Sequence, residues 1–169
     1  MKNKAIFTGK NHVLFLAIGI SILWMAAPAQ AQIFKVKPKY DHALGFAGGF
    51  SSGMGLSYRQ YLNENFLGQG TFAILKTTDN FFYNIGGEAQ LNLNYEKFTR
   101  FYAWMATAYF FNNDNHGKNK IKGPYRLGAG IGVEVFYYDR LGINLEGGFM
   151  YFSDGQILIL PQAGFYYYF

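Results

Sequence analysis

The stretch "RLGAGIGVEV", residues 126–135, alternates strictly between two kinds of side chain. The apolar set consists of Leu127, Ala129, Ile131, Val133 and Val135. The other set consists of glycines with a charged residue at each end, Arg126 and Glu134. Alternation with period two is typical of a β-strand whose two faces meet different surroundings. The stretch therefore predicts a strand with one apolar face and one face of small and charged residues.

The same alternation recurs along the chain in both directions from this stretch. Interruptions rich in Gly, Asn and Asp separate the alternating segments and mark turns. We place eight strands at about 42–51, 54–62, 66–75, 81–95, 100–111, 124–137, 141–152 and 157–169. The fifth, "FYAWMATAYFF", is ambiguous because both of its faces are apolar or small. No Pro- or Ser-rich linker divides the chain, so we expect one domain.

The polar faces of these strands do not resemble the outer surface of a soluble protein. They are rich in Gly, Asn and Gln and poor in Lys, which suits a narrow lumen. Aromatic residues such as Tyr58, Tyr95 and Tyr137 cluster near strand ends, as they do at membrane–water boundaries. The pattern predicts an all-β fold, an eight-stranded antiparallel up-and-down transmembrane β-barrel, closed because lipid cannot satisfy an open sheet edge. A soluble sandwich or lipocalin-type barrel with an apolar interior is the alternative.

The charged residues on the polar faces are predicted to point into the lumen. They are Arg59, Glu88, Arg126, Glu134 and Glu146. A buried charge needs a partner, so we expect a plug of ion pairs in which Arg59 meets one or more of the glutamates. Arg126 is near the outer rim, so its pairing with a glutamate is less strongly predicted than that of Arg59. Because eight strands enclose a space that side chains just fill, a wide pore is not expected.

Residues 1–31 have the organisation of a cleavable signal peptide. Lys2, Lys4 and Lys10 precede the apolar run 13–27, and Ala29-Gln30-Ala31 forms an A-x-A cleavage site. We expect residues 32–41 to form a periplasmic lead-in and residues 42–169 to form the barrel. Removal of the three lysines lowers the formal net charge from +5 to +2, which leaves no electrostatic basis for binding nucleic acid. The absence of cysteine excludes disulfides and a lipoprotein anchor.

The chain ends on the apolar segment "GFYYYF", residues 164–169, within a strand that must pair with the first one to close the barrel. This segment resembles the C-terminal targeting strand of bacterial outer-membrane barrels. The resemblance implies that Phe165, Tyr167 and Phe169 form an assembly signal recognised by the barrel assembly machinery. Pro161 lacks a backbone N–H, so we expect a bulge or an unpaired position there.

The whole predicted mature chain resembles the small eight-stranded outer-membrane barrels of the opacity-protein and OmpA/OmpX type. The segment "GLSYRQYLNENFLGQGTFAIL", residues 55–75, is similar to strand–turn–strand units of such barrels in Bacteroidota-like sequences. The resemblance implies an integral protein in the outer membrane of a Gram-negative bacterium, with both termini periplasmic. External loops would then lie at 51–54, 76–80, 112–123 and 153–156.

For such a barrel we expect a structural or binding role at the cell envelope. Its partners would be outer-membrane lipids and lipopolysaccharide, whose phosphates Lys118, Lys120 and Lys122 of the longest loop can meet. An unidentified envelope protein is a further possible partner. A role as an accessory subunit of an envelope or secretion complex is an alternative that no motif tests.

A lipid-editing enzyme is the other alternative, because some small barrels that resemble this one act as lipid A deacylases or acyltransferases. Such chemistry needs a nucleophile activated by a histidine. The candidates are His116 and Asp114 with Ser51, Ser52, Ser153 or Asp154. The His-x-Ser pairing of that family is absent after both His42 and His116. We therefore expect no catalytic residues, no cofactor and no metal site.

Overall fold

The computed structural model describes residues 39–78, 80–113 and 117–169, so the predicted signal peptide and most of the lead-in lie outside the described residues. The described chain forms eight strands: β1 (His42–Gly49), β2 (Gly53–Tyr61), β3 (Phe66–Lys76), β4 (Phe81–Tyr95), β5 (Thr99–Asn113), β6 (Tyr125–Tyr137), β7 (Leu141–Phe152) and β8 (Ile157–Tyr168). The eight predicted strands are confirmed, with only small differences at their ends. Alternation locates most of them because their two faces differ in polarity; β5, with two apolar or small faces, is the exception.

The strands form one closed antiparallel barrel in chain order. Closure comes from β8, which pairs with β1 from Ala43–Tyr168 to Gly48–Ala163. We call the end that carries the C-terminus and the turns 62–65, 96–98 and 138–140 the terminal end. The opposite end, with the connections 50–52, 77–80, 114–124 and 153–156, is the loop end. The predicted up-and-down eight-stranded architecture is therefore confirmed.

The polarity of the barrel is opposite to that of a soluble protein. Arg59, Arg100 and Glu134 point inward and are each 0% exposed. Apolar side chains cover the outside, among them Phe46, Ile85, Met105, Ile131, Leu145 and Phe149. On the outward faces of the described strands, Lys76 at the loop end of β3 is the single Asp, Glu, Lys or Arg. The interior thus holds the charged side chains, together with clusters of aromatic and apolar residues, and the exterior is apolar.

One β-bulge interrupts the regular alternation, in β4. The register shifts between Asn92 and Asn94, and the extra residue, Leu93, faces outward. The shift turns Tyr95 into the lumen, where its ring packs 5.6 Å from that of Phe136. The expectation that Tyr95 belongs to an outer aromatic belt is therefore wrong, because a bulge reverses the facing of every residue beyond it.

Pro161 produces no bulge. It lies opposite Gly147 in a β7–β8 register without a shift. The structure instead accommodates Pro161 through its position relative to β1.

The β1–β8 ladder ends at the pair Gly48–Ala163, and Pro161 lies two residues beyond this pair on β8. Near the terminal end the backbone N–H of Tyr168 donates toward β7, and that of Phe169 donates to β1. Because backbone groups alternate between the two sides of a strand, the missing N–H of Pro161 falls on the β1 side, beyond the last pair. Of the two alternatives expected at Pro161, a bulge is absent and a position unpaired with β1 is present.

In the described ranges, no helix has the length and apolar character needed to cross a membrane.

Candidate functional site: the barrel lumen

Glu134 of β6 is the centre of a buried ion network in the terminal half of the lumen. Its carboxylate accepts hydrogen bonds from Arg59 Nη1 at 3.0 Å and from Arg100 Nη2 at 2.6 Å. The hydroxyl of Tyr168 donates to the same carboxylate at 2.8 Å. We call these residues, Arg59, Arg100, Glu134 and Tyr168, the lumen cluster. Two cations and a phenol around one carboxylate compensate a charge that burial alone would make costly.

The topology brings these side chains together from opposite walls. Arg100 of β5 lies directly opposite Glu134 in the β5–β6 register, whereas Arg59 of β2 reaches across the lumen. The Arg59 guanidinium stacks 3.3 Å above the Tyr166 ring, and that of Arg100 lies 4.3 Å above the Tyr102 ring. Stacking on aromatic faces fixes the planes of both guanidinium groups.

Arg100 is the member of the lumen cluster that sequence reasoning missed. It lies at the start of the one predicted strand whose two faces are both apolar or small, so no inward face could be assigned to it. A detectable signal existed in the pairing of neighbouring strands. Antiparallel pairing of β5 with β6 places Arg100 opposite Glu134, and opposite charges favour this position.

Glu146 organises a second polar group, nearer the middle of the barrel. It accepts hydrogen bonds from the Tyr102 hydroxyl at 2.6 Å, from Asn144 Nδ2 at 2.6 Å and from Gln162 Nε2 at 3.0 Å. Arg59 Nη2 lies 3.9 Å from the same carboxylate. Arg59 therefore joins this group to the lumen cluster, and it lies within ion-pair distance of two of the predicted glutamates.

Glu88 of β4 lies apart from these ion pairs. It is 5% exposed and accepts a hydrogen bond from Gln90 Nε2 at 2.5 Å. Its Oε2 has no hydrogen-bond partner among the described residues. Among the described residues, no ion pair within 4.0 Å joins the Glu88 carboxylate to Arg59. Glu88 is therefore held by an amide rather than by a cation.

Arg126 of β6 lies at the loop end of the lumen. Its Nη1 donates to the Phe50 carbonyl at 3.3 Å, and its Nε donates to the Gly123 carbonyl at 3.4 Å. The guanidinium lies 3.9 Å from the Phe110 ring centre and 4.9 Å from that of Phe152. Backbone carbonyls and aromatic faces hold this cation, so it is not part of the lumen cluster.

The connection between β1 and β2 folds into the lumen. Ser51 is 0% exposed and Ser52 is 2% exposed. The side-chain oxygen of Gln162 accepts hydrogen bonds from Ser51 N at 3.1 Å and from Ser51 Oγ at 3.2 Å. A Cβ at Gly86 would overlap the backbone oxygen of Ser52, and one at Gly128 would overlap the Ser51 side chain. We call residues 50–53 the inward turn.

The structure has a turn where the connection 51–54 is expected, but the sequence does not predict that this turn folds into the lumen. The serine and glycine residues mark a turn correctly, but their identity does not determine the direction in which the turn folds. That direction depends on distant residues, namely the glycines of β4 and β6 that leave space and the glutamine of β8 that binds the serines.

The described enzyme candidates do not form a catalytic arrangement. Ser51 and Ser52 are bound to Gln162 inside the lumen, and Ser153 and Asp154 are exposed at the loop end. His42 lies at the terminal end, 2.7 Å from the Tyr58 hydroxyl. The remaining candidates, Asp114 and His116, lie outside the described residues.

No group of three or more His, Cys, Asp or Glu side chains in the described ranges is arranged to hold a metal ion.

The remaining predicted residues lie on outer surfaces. Lys118, Lys120 and Lys122 are exposed in the long β5–β6 connection at the loop end. Phe165 and Tyr167 face outward from β8, and Phe169 follows its last residue, with exposed fractions of 46%, 43% and 52%.

Comparison with solved structures gives a structural likeness, and comparison with families and curated proteins gives no match. No family model matches the chain, and no curated protein matches it. A solved structure that resembles it is that of Ail, the attachment invasion locus protein of Yersinia pestis. The two share 15% sequence identity, the alignment covers 76% of this chain and 93% of that one, and the TM-score is 0.38.

Proposed function

We propose that this chain is an integral outer-membrane β-barrel with a structural or binding role at the cell envelope, and that it is neither a wide pore nor an enzyme. The observation that carries the proposal is the inverted polarity of the barrel. A cylinder with an apolar outer surface and charged residues inside matches a lipid environment and would be poorly soluble in water.

The composition of the outer surface supports membrane insertion. Its exposed aliphatic and aromatic side chains form a continuous belt, with Lys76 at one edge. Tyrosines bound the belt at both levels. Tyr83, Tyr109 and Tyr125 lie at the loop end, and Tyr58, Tyr137 and Tyr167 lie at the terminal end. Tyrosine favours the two membrane–water boundaries because its ring is apolar and its hydroxyl is polar.

The filled lumen supports a structural or binding role over transport. The lumen cluster occupies the terminal half, and the inward turn crosses the loop-end half. An eight-stranded barrel has little interior space beyond its own side chains. A solute larger than water would have to displace both features.

The location in the outer membrane rests on the two ends of the sequence. A lysine-led apolar segment with an A-x-A site supports export, and the aromatic C-terminal strand supports assembly by the barrel machinery. In this arrangement the terminal end is periplasmic and the loop end, with Lys118, Lys120 and Lys122, faces outward.

The test is membrane extraction and heat-modifiable migration of the full chain expressed in a Gram-negative host. We expect the protein in the carbonate-resistant outer-membrane fraction, with different gel mobility before and after boiling. The substitution Leu145→Arg, in the middle of the outward face of β7, should reduce insertion because arginine costs about 2–4 kcal/mol at the bilayer midplane. Lys122→Gln, at the loop end, is the matched control and should insert normally. A soluble periplasmic monomer that needs no detergent would contradict the proposal.

The enzyme alternative has a separate test. Lipid A from cells with and without the chain is compared by mass spectrometry, and we expect identical acylation patterns. A lost or added acyl chain would establish lipid editing and replace the proposed role. A pull-down in mild detergent tests for an envelope protein partner.

A further inference from the structure

The wall of the barrel is incomplete at the loop end. Residues 157–162 of β8 extend beyond the last pair with β1, and residues 73–76 of β3 extend beyond the last pair with β2. The hairpin between them is shorter than its neighbours, and its tip leaves the wall as the inward turn. The ends of β3 and β8 therefore flank an opening, which we call the wall gap.

Strand lengths place the wall gap near the outer edge of the membrane. At about 3.3 Å per residue and a tilt of about 40°, the 8 residues of β1 rise roughly 20 Å along the barrel axis. The 15 residues of β5, on the far side, rise roughly 38 Å by the same estimate. Since the apolar belt of such barrels is about 25 Å tall, the wall gap begins where acyl chains meet headgroups.

Above the inward turn, the inner face of the barrel carries a group of apolar side chains beside the polar Asn84, Asn112 and Arg126. Leu75 and Leu158 point inward yet are 63% and 42% exposed, and they lie on the two strands that flank the wall gap. We call this apolar inner surface the loop-end cup. Its residues are Leu75, Phe82, Phe110, Phe152, Leu158 and Leu160. The two exposed leucines, above the buried Phe110 and Phe152, give the cup an apolar surface at the wall gap that is suited to an acyl chain.

A cation faces the wall gap from the opposite wall. Arg126 lies on β6, across the barrel from β1 and β2, and its hydrogen bonds to the Gly123 and Phe50 carbonyls engage two of the five N–H groups of its guanidinium. The described loop end also carries Lys76, Lys118, Lys120 and Lys122. Among the described residues of the loop end the acidic neighbour is Asp154, whose charge acts on Arg126. The balance of the described charges around the loop-end cup favours an anionic group.

A partner β-strand fits the wall gap less well than a lipid. Because backbone groups alternate in direction, β8 offers the N–H groups of Ile157 and Ile159 to the wall gap, but Pro161 has none. On the other side of the wall gap, the backbone groups of Ile74 and Lys76 of β3 point toward the gap. A proline and a lysine on an edge are features that discourage strand addition.

We propose that the loop-end cup takes the acyl chain of a membrane lipid through the wall gap, and that Arg126 binds the anionic headgroup. The inference rests on the proposed membrane insertion, because the wall gap opens on the lipid-facing surface. The inward turn forms the floor of the site, so the bound chain stays above the lumen cluster.

The test uses a dibrominated fatty acid added to the refolded chain in detergent micelles. After Ala31 the sequence contains a single tryptophan, Trp104, which packs with Phe152 and Leu160 below the cup. Bromine quenches a nearby indole, so we expect saturable quenching at an acid-to-protein ratio near one. Arg126→Gln should weaken binding of the acid about tenfold and leave binding of its uncharged methyl ester unchanged.

Two further variants test the cup itself. Leu75→Gln with Leu158→Gln should abolish saturable quenching by the acid and by the ester. Ile74→Gln, on the outer face of β3, is the matched control and should bind as the unchanged chain does. Heat-modifiable migration of every sample reports insertion competence, so a failure of the proposed membrane role is visible separately.

Two outcomes overturn the lipid site in a correctly folded barrel. The first is quenching that rises linearly and equally in all variants, which is partition into the micelle only. The second is a dimer detected by sedimentation without any quenching, which would assign the wall gap to a second copy of the chain.

Discussion

At the scale of single residues, the lumen cluster shows how a charge can be buried inside a narrow barrel. Glu134 is 0% exposed, yet each of its carboxylate oxygens accepts a hydrogen bond from a different arginine. Such an arrangement is weak evidence for extra stability, because desolvation of all the charges offsets their attraction. Removal of one member is costly, because it leaves the others buried without compensation.

The first prediction follows from this asymmetry. Arg59→Ala and Arg100→Ala should each lower the free energy of unfolding by about 3–5 kcal/mol, since each leaves Glu134 with one cation. Arg126→Ala should cost less, because Arg126 is partly exposed and binds backbone carbonyls. Urea unfolding in lipid vesicles measures all of these variants. Equal losses near zero would show that the lumen is wet enough to solvate its charges.

A second prediction concerns Glu134 itself. Glu134→Gln keeps the shape of the side chain but removes the charge that compensates Arg59 and Arg100. The double variant Arg100→Ala, Glu134→Gln should therefore lose less stability than the sum of the two single losses. The same urea measurement gives this coupling, and strictly additive losses would mean that the two residues do not interact.

At the scale of elements, the strands and their order were predictable, whereas the direction of the connections was not. Alternation locates the strands that separate an apolar from a polar environment, whereas both faces of β5 are apolar or small. The bulge at Leu93 escaped this reasoning, since the alternation of leucine and asparagine over residues 91–94 continues through it without a break. Arg100 was missed for a related reason, because its strand has no polar face of its own.

The inward turn was missed because the residues that determine its position are far away in sequence. Gln162 binds its serines, and Gly86 and Gly128 leave the space that it fills. A single sequence shows these residues as unremarkable members of three strands. The Arg59 ion pair was predictable by contrast, because the facing of charged residues on regular strands follows from parity alone.

The third prediction tests how the inward turn is held. Gly86→Ala places a methyl group against the backbone oxygen of Ser52, so the turn must move out of the lumen. Overpacking of this kind costs about 1–3 kcal/mol. The chain has no cysteine, so Ser51→Cys provides a unique site for a water-soluble maleimide.

The expected outcome is slow labelling of Ser51→Cys alone and fast labelling when Gly86→Ala is added. Gly70→Ala on β3 is the matched control, because a Cβ there meets nothing within 4 Å, and labelling should stay slow. Fast labelling in all three proteins would place the turn outside the lumen.

The fourth prediction concerns β8 as an element of assembly. Phe169 donates its backbone N–H to His42 of β1 at 2.9 Å, so the last residue takes part in the closing contact between the first and last strands. Phe169→Asp should lose most of the heat-modifiable protein from the outer membrane, whereas Phe169→Tyr should retain it. Unchanged abundance of the Asp variant in membrane fractions would remove the C-terminal aromatic residue from the assembly signal.

At the scale of the whole molecule, packed residues fill the lumen of the barrel at two separate levels. The lumen cluster and the packed rings of Tyr61, Phe136 and Tyr168 fill the terminal half. The inward turn and the Gln162 contacts fill the loop-end half. The loop-end cup lies above both, so lipid access through the wall gap and a sealed lumen are compatible in one barrel.

The last prediction follows from this division. In planar bilayers the unchanged chain should give no conductance above that of the lipid alone. Tyr168→Ala removes the ring that packs against Tyr61 and Phe136 at the terminal level, and Gly86→Ala displaces the inward turn. Each single variant leaves the other level in place, so neither should conduct. The combination should conduct ions, because both levels are then thinned and the polar side chains of Gln90, Asn144 and Glu146 lie between them. Steady conductance of the unchanged chain would show that neither level seals the barrel. Steady conductance of a single variant would show that the level altered in it is the only seal.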